Sequence, residues 1–185
     1  MTTGGLDTKQ FFLSLDKTSS ELTRLISSAN ASAINVVPSD SHRIKDSWSA
    51  AQLVSHVTKS NKAIVQALKM EGKTANRSPA QRVPELKKMF LDFSTRFNSP
   101  EFTRPNQDVY QKDALIGDLK KSNEQLKELR NRINLSEIIS LPAFGEITKL
   151  ELFHFVLYHT QRHIHQLKNI FHALNENTIH TNRDP

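Results

Sequence analysis

The chain has 185 residues, 37% of them apolar and 24% charged, which suits one globular domain and points away from a disordered or membrane protein. It contains no cysteine, which excludes a disulfide framework, a thiolate metal site and a cysteine nucleophile. Its five glycines form neither G-x-x-x-x-G-K nor G-x-G-x-x-G, so the commonest phosphate-binding enzymes are excluded, and the net charge of +6 is only mildly basic.

In chain order, the first helix is predicted from about Asp7 to Ala29, with Phe11, Phe12, Leu15, Leu22, Leu25 and Ile26 on one face. Asp7 and Gln10 form a start signal of the capping-box type. The polar stretch from Asn30 to Ser47, broken at Pro38, reads as a loop crossing the end of a bundle. A second helix starts at Ser49, where Gln52 completes an S-x-x-Q box, and ends near Gly72. Between Lys69 and Lys88, six Lys and Arg face two Glu, with no aromatic residue until Phe90. That pattern predicts a solvated surface and no nucleic-acid partner.

Pro84 to Phe97 carries Leu86, Phe90, Phe93 and Phe97 at helical spacing. It is expected to cap one end of the core, a lid or a dimer contact being the sharper alternative. The third long helix spans about Asp108 to Ile133, with Leu115, Leu119, Leu126, Leu129 and Ile133 inside. The fourth opens with Thr148 and Glu151 as T-x-x-E, and its stripe runs from Phe153 through Val156, Leu157, Thr160, Ile164, Leu167 and Phe171 to Leu174. Strand signals are weak and no repeat is evident. The expected architecture is all-α: a four-helix bundle with long crossover loops and one short additional helix. Residues 1–174 form its single domain and 175–185 a polar, frayed tail. Met1 to Asp7 lacks a secretory leader's pattern. The longest apolar stretch, Leu152 to Tyr158, falls far short of the roughly 20 residues of a membrane span. A cytoplasmic protein with no membrane partner is expected.

Five of the eight histidines lie on the last helix. At about 100° per residue, His159 and His163 share one flank of the apolar stripe, while His154, His165 and His172 share the other. An i, i+4 histidine pair can hold a metal, because the two imidazoles are neighbours on the helix. The pair lacks the glutamate of a zincin motif, since Thr160, Gln161 and Arg162 stand between. His56 on the second helix is the natural third ligand, beside a stripe of small residues, Ser49, Ser60, Ala63 and Ala67, that leaves room in front of its ring. Packing histidines with local hydrogen bonds explain the same pattern, so both readings stand at this point. His154, His165 and His172, with His42 in the loop and His180 in the tail, read as surface or partly buried side chains.

Trp48-Ser49-Ala50-Ala51-Gln52-Leu53-Val54-Ser55-His56 resembles the W-S-x-x-x-hydrophobic-x-x-H segment of the DinB-like (YfiT-type) helical-bundle superfamily. Leu141-Pro142-Ala143-Phe144-Gly145-Glu146-Ile147-Thr148 resembles its P-x-F-G-x-hydrophobic-T turn, and Tyr158 to Leu167 resembles its H-x-x-R-H-x-x-Q helix. The resemblance implies a four-helix bundle holding a divalent transition metal, Zn or Ni, on His56, His159 and His163. It also implies a homodimer and a small-molecule substrate, in some relatives a low-molecular-weight thiol joined to an electrophile. Many relatives are regarded as metal-dependent hydrolases. One departure is Leu141, where relatives often carry a histidine before the turn.

The leading expectation is therefore a metal-dependent enzyme, a hydrolase or small-thiol S-transferase, whose metal activates water or a thiol cosubstrate. Gln166 lies on the flank of His163 and is a candidate to bond a ligand histidine or the nucleophile. Arg162 points further round, toward an anionic substrate or a surface partner. Glu151 is left out as a base, because its cap role suffices and it projects about 80–120° from the histidine pair. The alternative is a non-catalytic dimeric binding or structural module with a structural or vestigial metal site.

Overall fold

The computed structural model describes residues 3–38, 48–106 and 109–181, with side chains described between 7 and 175 of these. Five helices dominate: α1 (Thr3–Ser28), α2 (Ala50–Leu68), α3 (Val83–Leu91), α4 (Lys112–Leu129) and α5 (Lys149–Thr181). α1 packs on α4 and α5, and α2 packs on the same two, so the four long helices run around the bundle as α1, α4, α2, α5. The short α3 lies on the outside of α5.

Two cap predictions correspond to bonds. Ser49 Oγ accepts from the Gln52 amide at 3.2 Å while Gln52 Oε1 accepts from the Ser49 amide at 3.0 Å. Thr148 and Glu151 make the same reciprocal pair at 3.1 and 2.9 Å. Several boundaries move. The backbone is helical from Thr3, so Asp7 lies inside α1 and caps nothing. α2 stops at Leu68, four residues before Gly72, where a Cβ would meet the Glu137 Cβ at 2.8 Å. α4 begins at Lys112 and ends at Leu129, inside the predicted bounds, and Asp108 lies outside the described residues. α5 continues to Thr181, so the polar tail expected from residue 175 begins as helix; no proline or glycine breaks it there. The predicted helix from Pro84 to Phe97 is helical only to Leu91; beyond it the chain runs irregularly, with one 3₁₀ turn at Glu101–Thr103.

The structure also contains a small antiparallel sheet that weak strand signals hid: β1 (Lys73–Thr74), β2 (Glu137–Leu141) and β3 (Gly145–Thr148), in that order. Pro142 to Phe144 link β2 to β3, and Gly145, the first residue of β3, takes φ +63°, a left-handed conformation that glycine adopts without the penalty a Cβ would bring. The hairpin leads directly into α5. Buried Glu151 ties this end together: Arg77 grips it at 2.6 and 2.7 Å, and the Arg82 amide donates to it at 2.7 Å. The Arg82 guanidinium reaches the Phe144 and Glu146 carbonyls at 2.7 and 2.9 Å. Two of the six cations between Lys69 and Lys88 are therefore structural, which corrects their reading as solvated surface.

Buried side chains form two clusters. One joins Phe11 and Leu15 to the end of α2, the hairpin and Leu152 to Tyr158. The other joins Leu22, Ile26 and Ile34 to the start of α2, Leu115, Leu119, Ile164 and Leu167. Full burial of each large apolar side chain contributes roughly 1.5–3 kcal/mol. Along α5 the two clusters meet between Tyr158 and Ile164, and polar residues fill the join.

Candidate metal centre

His159, Thr160, Arg162 and His163 occupy that junction on α5, and α2 brings His56 against it. His159 Nε2 lies 3.2 Å from His56 Nε2 and 3.0 Å from His163 Nε2. The ligand-competent atoms of all three fall within 4.8 Å of one another. The helical spacing puts His159 above His163, and the α2–α5 contact supplies the third ring. All three are 4–7% exposed, so the cluster is buried without being sealed from solvent.

The outer nitrogens decide what the inner ones can do. His56 Nδ1 donates to the Thr103 carbonyl at 3.0 Å, and His163 Nδ1 donates to Gln166 Oε1 at 2.6 Å. A ring that spends its proton on Nδ1 presents a lone pair at Nε2. Two lone pairs therefore face His159 Nε2, which can offer a proton to only one of them. The remaining contact leaves two nitrogens at hydrogen-bond distance with no proton between them. His159 Nδ1 is buried without a hydrogen-bond partner, so exchanging its tautomer gains nothing. A cation among the three nitrogens removes the conflict. Nitrogens about 2.0–2.1 Å from one ion sit roughly 3.0–3.4 Å apart, and the spacings of 3.2 and 3.0 Å fall within that interval. The residues present fit a metal ion.

Electrostatics favour the ligand-competent form. Burial lowers the pKa of each ring. For His56, Lys59 adds to the depression and the Thr103 bond opposes it. For His159, the charges of His163, His56 and Arg162 add to burial. Burial pushes His163 down to about 3, with His56 and Arg162 contributing and Gln166 opposing. The three imidazoles are thus neutral at neutral pH, as metal ligation demands.

Aromatic rings surround the cluster. Trp48 lies 5.0 Å from the His56 ring, Phe155 stacks on His159 at 5.0 Å, and Phe90 stands edge-on to it at 6.1 Å. Phe144, at the tip of the hairpin, packs edge-on against Phe155 at 4.9 Å. The P-x-F-G turn therefore reaches the centre through one intervening ring. A groove of about 520 Å³ between α1 and α4 is lined by none of the three histidines. Cavity size is no guide to the chemistry here.

The other candidates separate. Gln166 stands against His163, on the nitrogen that faces away from the cluster. Arg162 meets neither a substrate space nor a surface acid. Its guanidinium is buried and donates to the carbonyls of Phe90 (3.3 Å), Asp92 (2.8 Å) and Thr95. Burial lowers its pKa, and the charge of Asp92 opposes the shift. Burial would raise the pKa of Glu151, but its bonds to Arg77, Thr148 and Arg82 outweigh that and hold it low. His154 stacks on Phe11 at 3.8 Å and His165 on Phe93 at 4.2 Å, while His172 is exposed. His42 and the His180 side chain lie outside the described residues. Sequence reasoning missed Thr103, and no signal pointed to it, because any residue offers a carbonyl.

The sequence profile of the DinB superfamily matches residues 14–167, a span that holds all three histidines and Gln166. Among solved structures, the chain is similar to TT2238, described as a four-helix bundle protein. The TM-score is 0.55 at 13% identity, over 87% of this chain and 98% of that one, a likeness that concerns the fold alone. No curated protein matches the chain. Among the described residues, no helix is long and apolar enough to cross a membrane.

Proposed function

The chain belongs to the DinB superfamily, and from that footing we propose that it is a metal-dependent enzyme whose metal sits on His56, His159 and His163. The observation that carries the reading is the convergence of three neutral imidazoles, two of them oriented by acceptors on the far side of the ring. His56, His159 and His163 would hold a divalent transition metal, and that metal would supply activation of a water or thiol as nucleophile near neutral pH. Zn and Ni are the favoured ions, since both accept imidazole.

The chain's own residues define the rest. Thr103 and Gln166 hold two imidazoles in the correct tautomer. Trp48, Phe90 and Phe155 give the rings apolar neighbours and limit water. Among the described residues the histidine cluster includes no carboxylate, and Glu151 is committed to Arg77, so the reading assigns no side-chain base. With no cysteine in the chain, a thiol nucleophile arrives as a cosubstrate. The proposal is thus a hydrolase or a small-thiol S-transferase acting on a small molecule. A homodimeric, cytoplasmic protein without a nucleic-acid or membrane partner completes it.

The test is the metal content of purified protein, wild type beside His159→Ala, by elemental mass spectrometry after gentle desalting. About one transition metal per chain, lost in the variant, is expected. Thiol-transfer and hydrolysis screens with that metal then separate the two reactions. Metal without turnover in either screen favours a structural site in a non-catalytic module. A metal-free protein whose thermal melts ignore added Zn, Ni and Mn overturns the reading.

A further inference from the structure

Residues 92–106 join α3 to the segment before α4 and have almost no core of their own. Thr103 is the one buried side chain among them, and regular structure is limited to the 3₁₀ turn. Its polar and ring contacts to α2 and α5 among the described residues fall on the histidine centre or within three residues of one of its ligands. Arg162, adjacent to His163, binds the carbonyls of Asp92 and Thr95 and lies over the Phe97 ring at 4.9 Å. His165 stacks on Phe93. His56 itself donates to the Thr103 carbonyl. Lys59, one turn after His56, donates to the Arg104 carbonyl at 2.7 Å and to Asn106 Oδ1 at 3.0 Å.

We propose that residues 92–106 form a strap whose docking is thermodynamically linked to metal loading, with Arg162 and Lys59 as the positioning residues that seat it. The inference rests on the metal-centre reading above. The link is the His56 ring. A metal takes the Nε2 lone pair, which requires the proton on Nδ1, and that is the tautomer the Thr103 carbonyl accepts. Metal and strap therefore select the same form of one side chain. Without metal, His56 can turn its proton toward His159 instead, and the Thr103 bond is then lost.

Arg162 shows how firmly the strap is bound to the site. Its buried guanidinium has backbone carbonyls as its hydrogen-bond partners, and no described acid forms an ion pair with it. Undocking the strap would strip a buried cation of acceptors, which is costly. The docked state is thus over-determined on the α5 side and tuned by the metal on the α2 side. Linkage is reciprocal: whatever factor the metal contributes to strap docking, docking returns to metal affinity.

The experiment uses the full chain, stripped of metal and titrated with Zn against a chromophoric chelator. Hydrogen exchange of residues 92–106 is followed with and without Zn. Zn is expected to slow strap exchange about tenfold or more, and Lys59→Met and Arg162→Gln to weaken Zn binding about 10–100-fold. Lys59→Arg, which keeps a donor to both strap acceptors, is expected to restore affinity. Arg130→Met serves as the control. It removes an ion pair in which Nη1 donates to both carboxylate oxygens of Asp16 on the α1–α4 side, and should leave Zn affinity unchanged. If Arg162→Gln fails to fold, the half-buried Lys59 carries the test alone. Zn binding by the wild type with unchanged strap exchange and undiminished affinity in Lys59→Met overturns the strap inference alone. A wild type that binds no Zn overturns the metal centre, and the strap with it.

Discussion

The two flanks of α5 carry the same residue type and use it in opposite ways. His159 and His163 face α2, and each ring lies within 3.2 Å of another imidazole nitrogen. His154 and His165 each lie flat on one phenylalanine, Phe11 and Phe93, and work as aromatic plates. The difference does not come from exposure alone, because His154 is half-buried too. It comes from what faces each ring. A second nitrogen across the helix gap makes a ligand set; a phenyl face makes a packing contact. Neutrality does not separate His154 from the pair either, since burial lowers its pKa as it lowers those of His159 and His163.

The largest expected effect breaks this comparison across two residues of one helix. His163→Ala should abolish stoichiometric Zn or Ni binding, while His165→Ala should leave it intact, as read by titration of metal-free protein. Saturating metal should raise the melting temperature of wild type and His165→Ala alike. A hundredfold excess over Kd is worth about 2.7 kcal/mol, or roughly 5–11 °C for a domain of this size. Equal loss of metal in both variants would show that the flanks are not distinct.

Next in size is the outer nitrogen of His163. Gln166→Leu keeps the ring and removes the acceptor at 2.6 Å. Metal affinity should fall about 10–100-fold with the stoichiometry unchanged. An unchanged affinity would mean that the Gln166 bond does not orient the ligand.

How much of this was legible in the sequence follows from which interactions use side-chain identity. The Ser49–Gln52 and Thr148–Glu151 caps were readable, because a cap requires particular residues at a fixed spacing. The His159–His163 pair was readable for the same reason. That His56 meets it depended on helix packing, which the small residues beside it only suggested. Thr103 and the carbonyls under Arg162 were not readable, since backbone acceptors leave no residue signature. Arg77 and Arg82 looked like surface charge, because their partner Glu151 lies about 70 positions away. The hairpin was hidden by brevity, with strands of five and four residues flanking the P-x-F-G turn.

The smallest expected effect sharpens the comparison from the packing side. Burial depresses the His154 pKa to about 4, against the pull of Asp7 and Glu151. The unfolded chain binds that proton near pH 6.5 and the folded chain only near pH 4. The stability contributed by the neutral ring is therefore whole above pH 6.5, erodes as pH falls, and is gone below about pH 4. Solvent screening of the partly exposed ring limits the effect to the order of 1–2 kcal/mol. His154→Phe keeps a plate of similar shape against Phe11 and removes the titrating nitrogen. In metal-free protein it should melt less steeply with falling pH between 6.5 and 4 than the wild type. The three site histidines are common to both proteins, so the difference between the two curves isolates His154. Superimposable curves would mean that the ring is already open to protons in the folded chain, and that this flank of α5 is looser than its aromatic stacking implies.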